Sequence, residues 1–216
     1  MDSGRVVVVT GGGSGIGRAT ALRFAQEGDS VVVADVNEAG GMGVVDEISQ
    51  NGGTSFFEHV DVANDESISE LVRRVRDRCG AASVLVNSAG ILQNPTRLVD
   101  LDIEEHDRIW AVNYRGTVMC CRKFVPDMIE LGEGAIVNIS STSAARVFPL
   151  LAYSPSKTAI DQLTKFEDDI KDNKSMIVEN TQEIHQAFEA IMENTEFSRH
   201  TKETLTKRIM ELYGPY

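Results

Sequence analysis

Cysteine is scarce in this sequence, and long apolar runs are missing. The chain has three cysteines among 216 residues, Cys79, Cys120 and Cys121, and none belongs to a Cys-x-x-Cys pair. A sparse, odd-numbered set of this kind is typical of reduced thiols and argues against a disulfide framework. No segment approaches the roughly 20 apolar residues that cross a bilayer, and the first residues lack the basic region of a signal peptide. We therefore expect a cytoplasmic protein that does not enter a membrane.

Positive charge is also scarce. The 21 lysines and arginines are outnumbered by 33 aspartates and glutamates, which gives a net charge of -12. Nucleic acids and anionic lipids attract basic surfaces, so this balance argues against both as partners. The four histidines, at positions 59, 106, 185 and 200, form no metal-ligand spacing, and no metal site is expected.

Short apolar runs alternate with helical patterns over the first two thirds of the chain. The apolar runs predict strands at 5–9, 31–34, 54–60, 83–86 and 135–140. The helical patterns predict helices at about 17–26, 39–50, 67–79, 103–131 and 153–165. Strands separated by helices form parallel βαβ units with right-handed crossovers. The expected fold is therefore α/β, a doubly wound, Rossmann-like parallel sheet.

A glycine-rich turn joins the first predicted strand to the first helix, with the sequence TGGGSGIG at 10–17. Gly11 lets the chain turn sharply out of the strand, Gly15 leaves room for a diphosphate, and Gly17 lets the helix pack close to the sheet. The helix N-terminus that follows favours a negatively charged group. Because the turn lies between a strand and a helix, it predicts a dinucleotide site.

An acidic residue, Asp35, ends the second predicted strand. A carboxylate at this position can accept hydrogen bonds from both hydroxyls of the adenosine ribose, and it repels a 2′-phosphate. No arginine or lysine occupies positions 12, 13, 36 or 37, and Arg18 is the one nearby base that argues the other way. The sequence therefore favours NAD over NADP as the cofactor.

Further motifs follow the glycine turn in a fixed order. They are Asp61-Val62, Asn87-Ser88-Ala89-Gly90, Asn113, Asn138-Ile139-Ser140-Ser141 and Tyr153-Ser154-Pro155-Ser156-Lys157. With the turn, this series resembles the short-chain dehydrogenase/reductase family over about residues 5–165. Each motif alone is weak, but six in order and near the family's spacing are a strong signal.

The resemblance implies an oxidoreductase that transfers a hydride between NAD(H) and an alcohol or carbonyl substrate, a small molecule. It implies that Tyr153 is the acid/base, that Lys157 lowers the tyrosine pKa and bonds the nicotinamide ribose, and that Asn113 holds a water. Tyr153 and Lys157 lie four residues apart, on one face of a helix. The cofactor contacts that the resemblance implies are Gly11, Ser14, Gly15, Ile16, Gly17, Asp35, Asp61, Val62, Asn87, Ala89, Gly90, Tyr153 and Lys157.

The active-site serine has two candidates. Motif alignment points to Ser141, whereas the family's usual spacing, 13 residues before the tyrosine, points to Ser140. A one-residue deletion in the loop at 142–152 reconciles the two. Ser141 is favoured, because strand register tolerates change less than loop length does.

Glycine and proline are absent from most of the C-terminal region. No glycine lies between Gly134 and Gly214, and no proline between Pro155 and Pro215. Residues 166–216 have amphipathic helical spacing and match nothing in the family. We expect a dinucleotide-binding domain over 1–165 and a divergent helical tail over 166–216 that covers the sheet edge.

The divergent tail leaves alternatives for function, because the family's substrate lid normally follows the helix with the tyrosine and lysine. The alternatives are a catalytically impaired dinucleotide-binding remnant and an interaction protein. Family members often form dimers or tetramers through the helices that carry Asn113 and Tyr153, so a homo-oligomer is also expected.

Overall fold

The computed structural model describes residues 4–146 and 148–169, so the predicted tail beyond Asp169 lies outside the described residues. The strands are β1 (Val6–Thr10), β2 (Ser30–Asp35), β3 (Thr54–His59), β4 (Val84–Asn87) and β5 (Ala135–Asn138). The helices are α1 (Gly15–Gln26), α2 (Glu38–Gln50), α3 (Asp65–Cys79), α4 (Ile103–Trp110), α5 (Gly116–Leu131) and α6 (Tyr153–Asp169). Within these ranges, no helix has the length and apolar character to span a membrane.

The strands form one parallel sheet in the order β3-β2-β1-β4-β5. β1 lies at its centre, where Val8 pairs with Val32 of β2 on one side and with Leu85 of β4 on the other. The chain thus winds outward from β1 in both directions, which confirms the predicted doubly wound, Rossmann-like fold. Ligands of such sheets bind at the carboxyl ends of the strands, where the winding reverses. This is where the glycine turn and the motif after β4 lie.

Both faces of the sheet are covered by helices. Val8 of β1 belongs to a core cluster with Leu71 of α3 and Phe124 of α5. Val7 and Val9 point to the opposite face, into a second cluster with side chains of α1 and α2. Because side chains alternate along a strand, an unbroken valine run fills both clusters. Burying each of these side chains stabilises the fold by about 1.5–3 kcal/mol.

The helix predicted over 103–131 is interrupted. α4 ends at Trp110, a π-helical turn occupies Ala111–Arg115, and α5 begins at Gly116, whose N–H donates to the Ala111 carbonyl five residues back. Thr117 Oγ1 donates to the Asn113 carbonyl at 2.8 Å. Such turns are frequent at functional sites, and this one contains Asn113.

Strand β5 is shorter than predicted and ends at Asn138. Ser140 and Ser141 therefore lie in the connection to a short 3-10 turn, Thr142–Ala144. Strand register was the reason for favouring Ser141, and that reason is wrong, because neither serine is in the strand. Side-chain hydrogen bonds distinguish the two serines instead, as described below.

Candidate active site

The glycine turn lies at the carboxyl end of β1, against the chain that leaves β4. Gly11 has a φ of 66°, and a Cβ on it would lie 2.7 Å from Ala89 Cα. Ala89 N donates to Thr10 Oγ1 at 3.4 Å, and Ser88 N donates to Thr10 O at 3.2 Å. Only glycine tolerates both this backbone angle and so close an approach of another backbone segment, here that of Ala89. The turn and the Asn87–Gly90 motif consequently form one continuous edge.

The N-terminus of α1 is open to an anion. Ser14 at the N-cap makes no side-chain cap hydrogen bond, and the first turn holds no acidic residue. The N-termini of α2, α3 and α4 differ, since Asn37, Asn64 and Asp102 cap them and acidic residues follow. Free N–H groups and the helix dipole attract negative charge. The start of α1, with Gly15, thus fits the diphosphate of a dinucleotide.

Asp35 is held rigidly at the end of β2, beside the glycine turn. Its Oδ2 accepts from Gly13 N and its Oδ1 from Asn37 N, both at 2.8 Å. The base nearest in sequence to the turn, Arg18, forms an ion pair with Glu47 at 2.5 Å. The carboxylate therefore faces the turn, while the arginine is engaged by α2.

The pair Asp61 and Val62 follows β3 and begins next to Asp35. Val60 N donates to the Asp35 carbonyl at 3.1 Å, which holds the two chain segments together. Asp61 Oδ1 accepts from Ala63 N at 2.9 Å, and Val62 is buried. The structure thus brings this pair to the strand edge where the resemblance implies the adenine ring.

Asn87 is buried and connects the sheet to α6. Its Nδ2 donates to Asn138 Oδ1 at 2.8 Å, and Asn138 Nδ2 donates to Thr164 Oγ1 at 3.1 Å. This polar chain links β4, β5 and α6 below the strand ends. It fixes the helix that begins at Tyr153 relative to the sheet.

Asn113, fully buried in the π-helical turn, bonds to two other segments. Its Oδ1 accepts from Ile91 N at 2.8 Å, while its Nδ2 donates to Ile91 O at 3.0 Å and to Ser156 Oγ at 3.2 Å. Both amide protons are therefore used within the protein. The side chain joins the chain after β4 to the first turns of α6.

Ser141 and Tyr153 are brought together in the structure. The Ser141 hydroxyl is close enough to the Tyr153 oxygen to lower the pKa of the tyrosine, and Ser143 donates to Ser141 Oγ through its backbone N–H at 3.2 Å and its hydroxyl at 3.0 Å. With its lone pairs occupied, the Ser141 hydroxyl has its own proton to donate to the Tyr153 oxygen. Ser140 points elsewhere, because its Oγ donates to the Lys157 carbonyl at 3.3 Å.

Burial dominates the electrostatics of Tyr153. Burial raises the pKa of Tyr153 because it disfavours the phenolate, and the hydrogen bond from Ser141 acts in the opposite direction. The prediction of a lowered tyrosine pKa is wrong for this arrangement. The Lys157 ammonium lies 5.8 Å from the tyrosine ring centroid and donates instead to Ile139 O at 2.6 Å.

Lys157 is itself strongly perturbed. The side chain is 5% exposed, and burial lowers its pKa to about 8, while the Asp161 carboxylate opposes that shift. A lysine of this kind is partly neutral near physiological pH. Perturbed groups gathered in one place are typical of functional sites.

One residue of this region, Gln93, was missed by the sequence reasoning. It is 1% exposed, and its Oε1 accepts from Ala152 N at 2.8 Å and from Tyr153 N at 3.4 Å. No local pattern indicates it, because its partners are about 60 residues away. As for metals, residues 4–146 and 148–169 contain no group of three or more histidine, cysteine or acidic side chains that could hold an ion.

A doubly wound sheet with a glycine turn at its switch point defines the class of Rossmann-like nucleotide-binding domains. Comparison with known proteins narrows that class. A family model described as short chain dehydrogenase matches residues 5–182. The chain belongs to the short-chain dehydrogenase family, a family of oxidoreductases that bind nicotinamide dinucleotides, as its motifs predicted. The match continues over residues 166–182, so the prediction that the whole region after residue 165 matches nothing in the family is wrong for this part.

Individual relatives support the family but differ in cofactor. An uncharacterized oxidoreductase, YxbG, of Bacillus subtilis (strain 168) is 37% identical over 162 residues, 74% of this chain and 59% of that protein. A 7α-hydroxysteroid dehydrogenase complexed with NADH and 7-oxo glycochenodeoxycholic acid is 31% identical, with a TM-score of 0.76 over 82% of this chain and 69% of that one. A metagenomic short-chain oxidoreductase in complex with NADP is 30% identical, with a TM-score of 0.77 over 82% and 80%. The chain thus spans less than two thirds of the length of the curated relative.

Proposed function

We propose that this chain is an NAD-dependent oxidoreductase that interconverts an alcohol and a carbonyl compound, with Tyr153 as the acid/base. The observation that carries the proposal is the convergence of three side chains: Ser141 is held by Ser143, and the buried Lys157 has its Nζ 5.8 Å from the Tyr153 ring centroid. A tyrosine hydroxyl held in such a group of side chains can pass its proton to or from a substrate oxygen.

The chemistry divides between the cofactor and the protein. A nicotinamide dinucleotide, when bound, supplies or accepts the hydride. In the oxidation direction the Tyr153 phenolate takes the alcohol proton on its Oη, and in reduction the neutral tyrosine gives that proton to the carbonyl oxygen. When a substrate is bound, Ser141 turns its single proton from Tyr153 to the same substrate oxygen and orients the substrate. Lys157, once aimed away from Ile139 O, stabilises the phenolate, and Asn113 holds the start of α6 in place.

Turnover tests this proposal directly. The purified chain is mixed with NAD or NADH and a panel of secondary alcohols and ketones that includes hydroxysteroids, the substrate class of one structural relative. Absorbance at the nicotinamide band follows the reaction. We expect turnover of at least one pair, and the absence of turnover with every pair, despite cofactor binding, would contradict the proposal.

The preference for NAD over NADP is tested at Asp35. Replacing Asp35 with alanine removes an anion that can bind the adenosine ribose, and hydrogen bonds to charged groups contribute about 1.5–3 kcal/mol. NADH affinity should fall about 10- to 100-fold, and discrimination against NADPH should shrink. Fluorescence titration with both cofactors measures this. The charge-matched control is Asp46→Ala on the exposed side of α2, and equal effects of the two variants would refute the role of Asp35.

The choice between the serines is tested by a pair of alanine variants. Ser141→Ala removes the donor to Tyr153 and should lower kcat about 100-fold, as loss of one donor to a reacting oxygen does. Ser140→Ala removes one part-buried hydrogen bond to the Lys157 carbonyl and should leave kcat within about threefold. Steady-state kinetics at saturating cofactor measures both, and the reverse ranking would assign the role to Ser140.

A second candidate function is dinucleotide binding without turnover. The geometry of Lys157 favours it, since the ammonium donates to Ile139 O at 2.6 Å and not to Tyr153. Tight NADH binding without any turnover would support this candidate. The failure of NADH and NADPH to bind would exclude both candidates.

A further inference from the structure

The buried Gln93 occupies an unusual position for a helix cap. The first N–H groups of any helix lack intrahelical acceptors. At the start of α3 the cap comes from the neighbouring residue, Asn64. At the start of α6 the acceptor is Gln93 Oε1, which reaches Ala152 N and Tyr153 N from the connection after β4.

The orientation of the Gln93 amide follows from its partners. Backbone N–H groups only donate, so the side-chain oxygen must face the helix. Its Nε2 then remains buried with no partner among the residues that the structure describes. An unpaired buried donor destabilises the folded state. The orientation of Gln93 therefore leaves its Nε2 unpaired, while its Oε1 serves as the acceptor at the start of α6.

The segment that carries Gln93 is attached at several points. Two residues earlier, Ile91 is bonded on both its backbone N and O by Asn113. Three residues later, Thr96 N donates to Pro149 O at 3.2 Å. Gln93 therefore ties the first residue of α6 to a segment that is itself fixed to the π-helical turn.

We propose that Gln93 is a positioning residue for the oxidoreductase reaction: its Oε1 holds the first N–H groups of α6, so that the Tyr153 side chain meets Ser141. The inference rests on the proposed function of Tyr153. Tyr153 begins the helix, where the backbone frays most readily, and a displacement of about 1 Å at a reacting group lowers the rate about 100-fold. Gln93 acts through the Tyr153 backbone and does not touch the reacting atoms.

Three variants separate positioning from simple stabilisation. Gln93→Met keeps the length of the side chain but has no oxygen acceptor, whereas Gln93→Glu keeps the acceptor and adds a charge that a helix N-terminus favours. The matched control is Asn64→Ala, which removes a side chain that accepts from two N–H groups, Glu66 N and Ser67 N, at the start of α3. Gln93→Met and Asn64→Ala should lower the Tm by similar amounts.

Kinetics then distinguishes the variants. Only Gln93→Met should lower kcat, by about 100-fold, with the KM for cofactor within about threefold of the unaltered chain. Gln93→Glu should restore most of the lost kcat. An unchanged kcat in Gln93→Met, with a Tm lowered as in Asn64→Ala, would show that Gln93 only caps the helix. Should Gln93→Met fail to fold, Gln93→Asn, which retracts the same acceptor by one methylene, takes its place with the same expectations.

A spectroscopic readout keeps this test independent of turnover. The chain has four tyrosines, so 3-fluorotyrosine labelling gives four fluorine resonances, and Tyr153→Phe identifies the one from Tyr153. That resonance should move towards its denatured position in Gln93→Met and stay in place in Gln93→Glu and Asn64→Ala. If the unaltered chain shows no turnover, the proposed function is wrong but the role of Gln93 is not affected. An unmoved Tyr153 resonance in Gln93→Met would overturn the role of Gln93.

Discussion

Replacing Tyr153 with phenylalanine will lower kcat by about 1,000-fold, within the range that a single acid/base group contributes. The substitution removes one oxygen and leaves the half-buried ring, whose centroid lies 5.8 Å from Lys157 Nζ. The substrate oxygen then has no group to exchange a proton with, and Ser141 loses its acceptor. Cofactor affinity should stay within about threefold, because the contacts at the glycine turn are untouched. Stopped-flow kinetics and an NADH titration measure the two quantities.

A second tyrosine provides the matched control for this experiment. Tyr114 lies in the π-helical turn and packs edge-on against Trp110, with 5.8 Å between ring centroids. Tyr114→Phe removes the same atom elsewhere in the fold and should leave kcat nearly unchanged. If Tyr153→Phe retained more than a tenth of the parent kcat, another group would have to carry the proton.

The fold was predictable because the sheet has a strong sequence signal. Consecutive valines in β1 and β2 indicate strands buried on both faces, and this feature accompanies parallel sheets flanked by helices. The glycine turn then places a ligand edge at the end of β1. These signals are local and repeat along the chain, so the order of elements follows from them.

The π-helical turn had no such signal. It differs from an α-helix by hydrogen bonds that reach five residues back, such as the one from Gly116 N to Ala111 O, and apolar spacing on either side remains compatible with an unbroken helix. Its consequence is large, because it presents the Asn113 side chain to Ile91 and Ser156. Sequence spacing identified Asn113 but not the contacts that it makes.

The pKa values of the site residues were harder to predict from the sequence than the identity of those residues. Spacing of four residues places Tyr153 and Lys157 on one face, yet it says nothing of how deeply the phenol is buried. Burial raises the pKa of Tyr153 and lowers that of Lys157 to about 8. Both shifts, like the contacts of Gln93, arise from segments distant in sequence, which pattern reasoning does not reach.

Gly17→Ala will disable the dinucleotide site. A Cβ at this position would lie 2.2 Å from Gly11 O and 2.7 Å from Gly11 C, both backbone atoms that cannot rotate away. α1 must then shift from β1, against the packing of Ala21 in the core. Overpacking of this kind lowers the free energy of unfolding by about 3 kcal/mol, which for a chain of this size lowers the Tm by roughly 6–12 °C.

The same shift displaces the N–H groups at the start of α1, so NADH affinity should fall at least about 100-fold. Thermal denaturation and a fluorescence titration at a temperature well below the Tm of the variant measure the two effects separately. A variant with parent-like Tm and parent-like NADH affinity would contradict the close packing of the turn.

Gly43→Ala is the matched control, because it adds the same methyl group to a glycine in α2 with no atom within 4 Å of the new Cβ. Alanine is favoured over glycine in a helix by about 1 kcal/mol, so the Tm should rise by about 2–4 °C while NADH affinity stays unchanged. The same Gly→Ala change should thus lower the Tm at position 17 and raise it at position 43, which separates two roles of glycine in this fold. Gly17 is required because two backbone segments meet there, whereas Gly43 only weakens its helix.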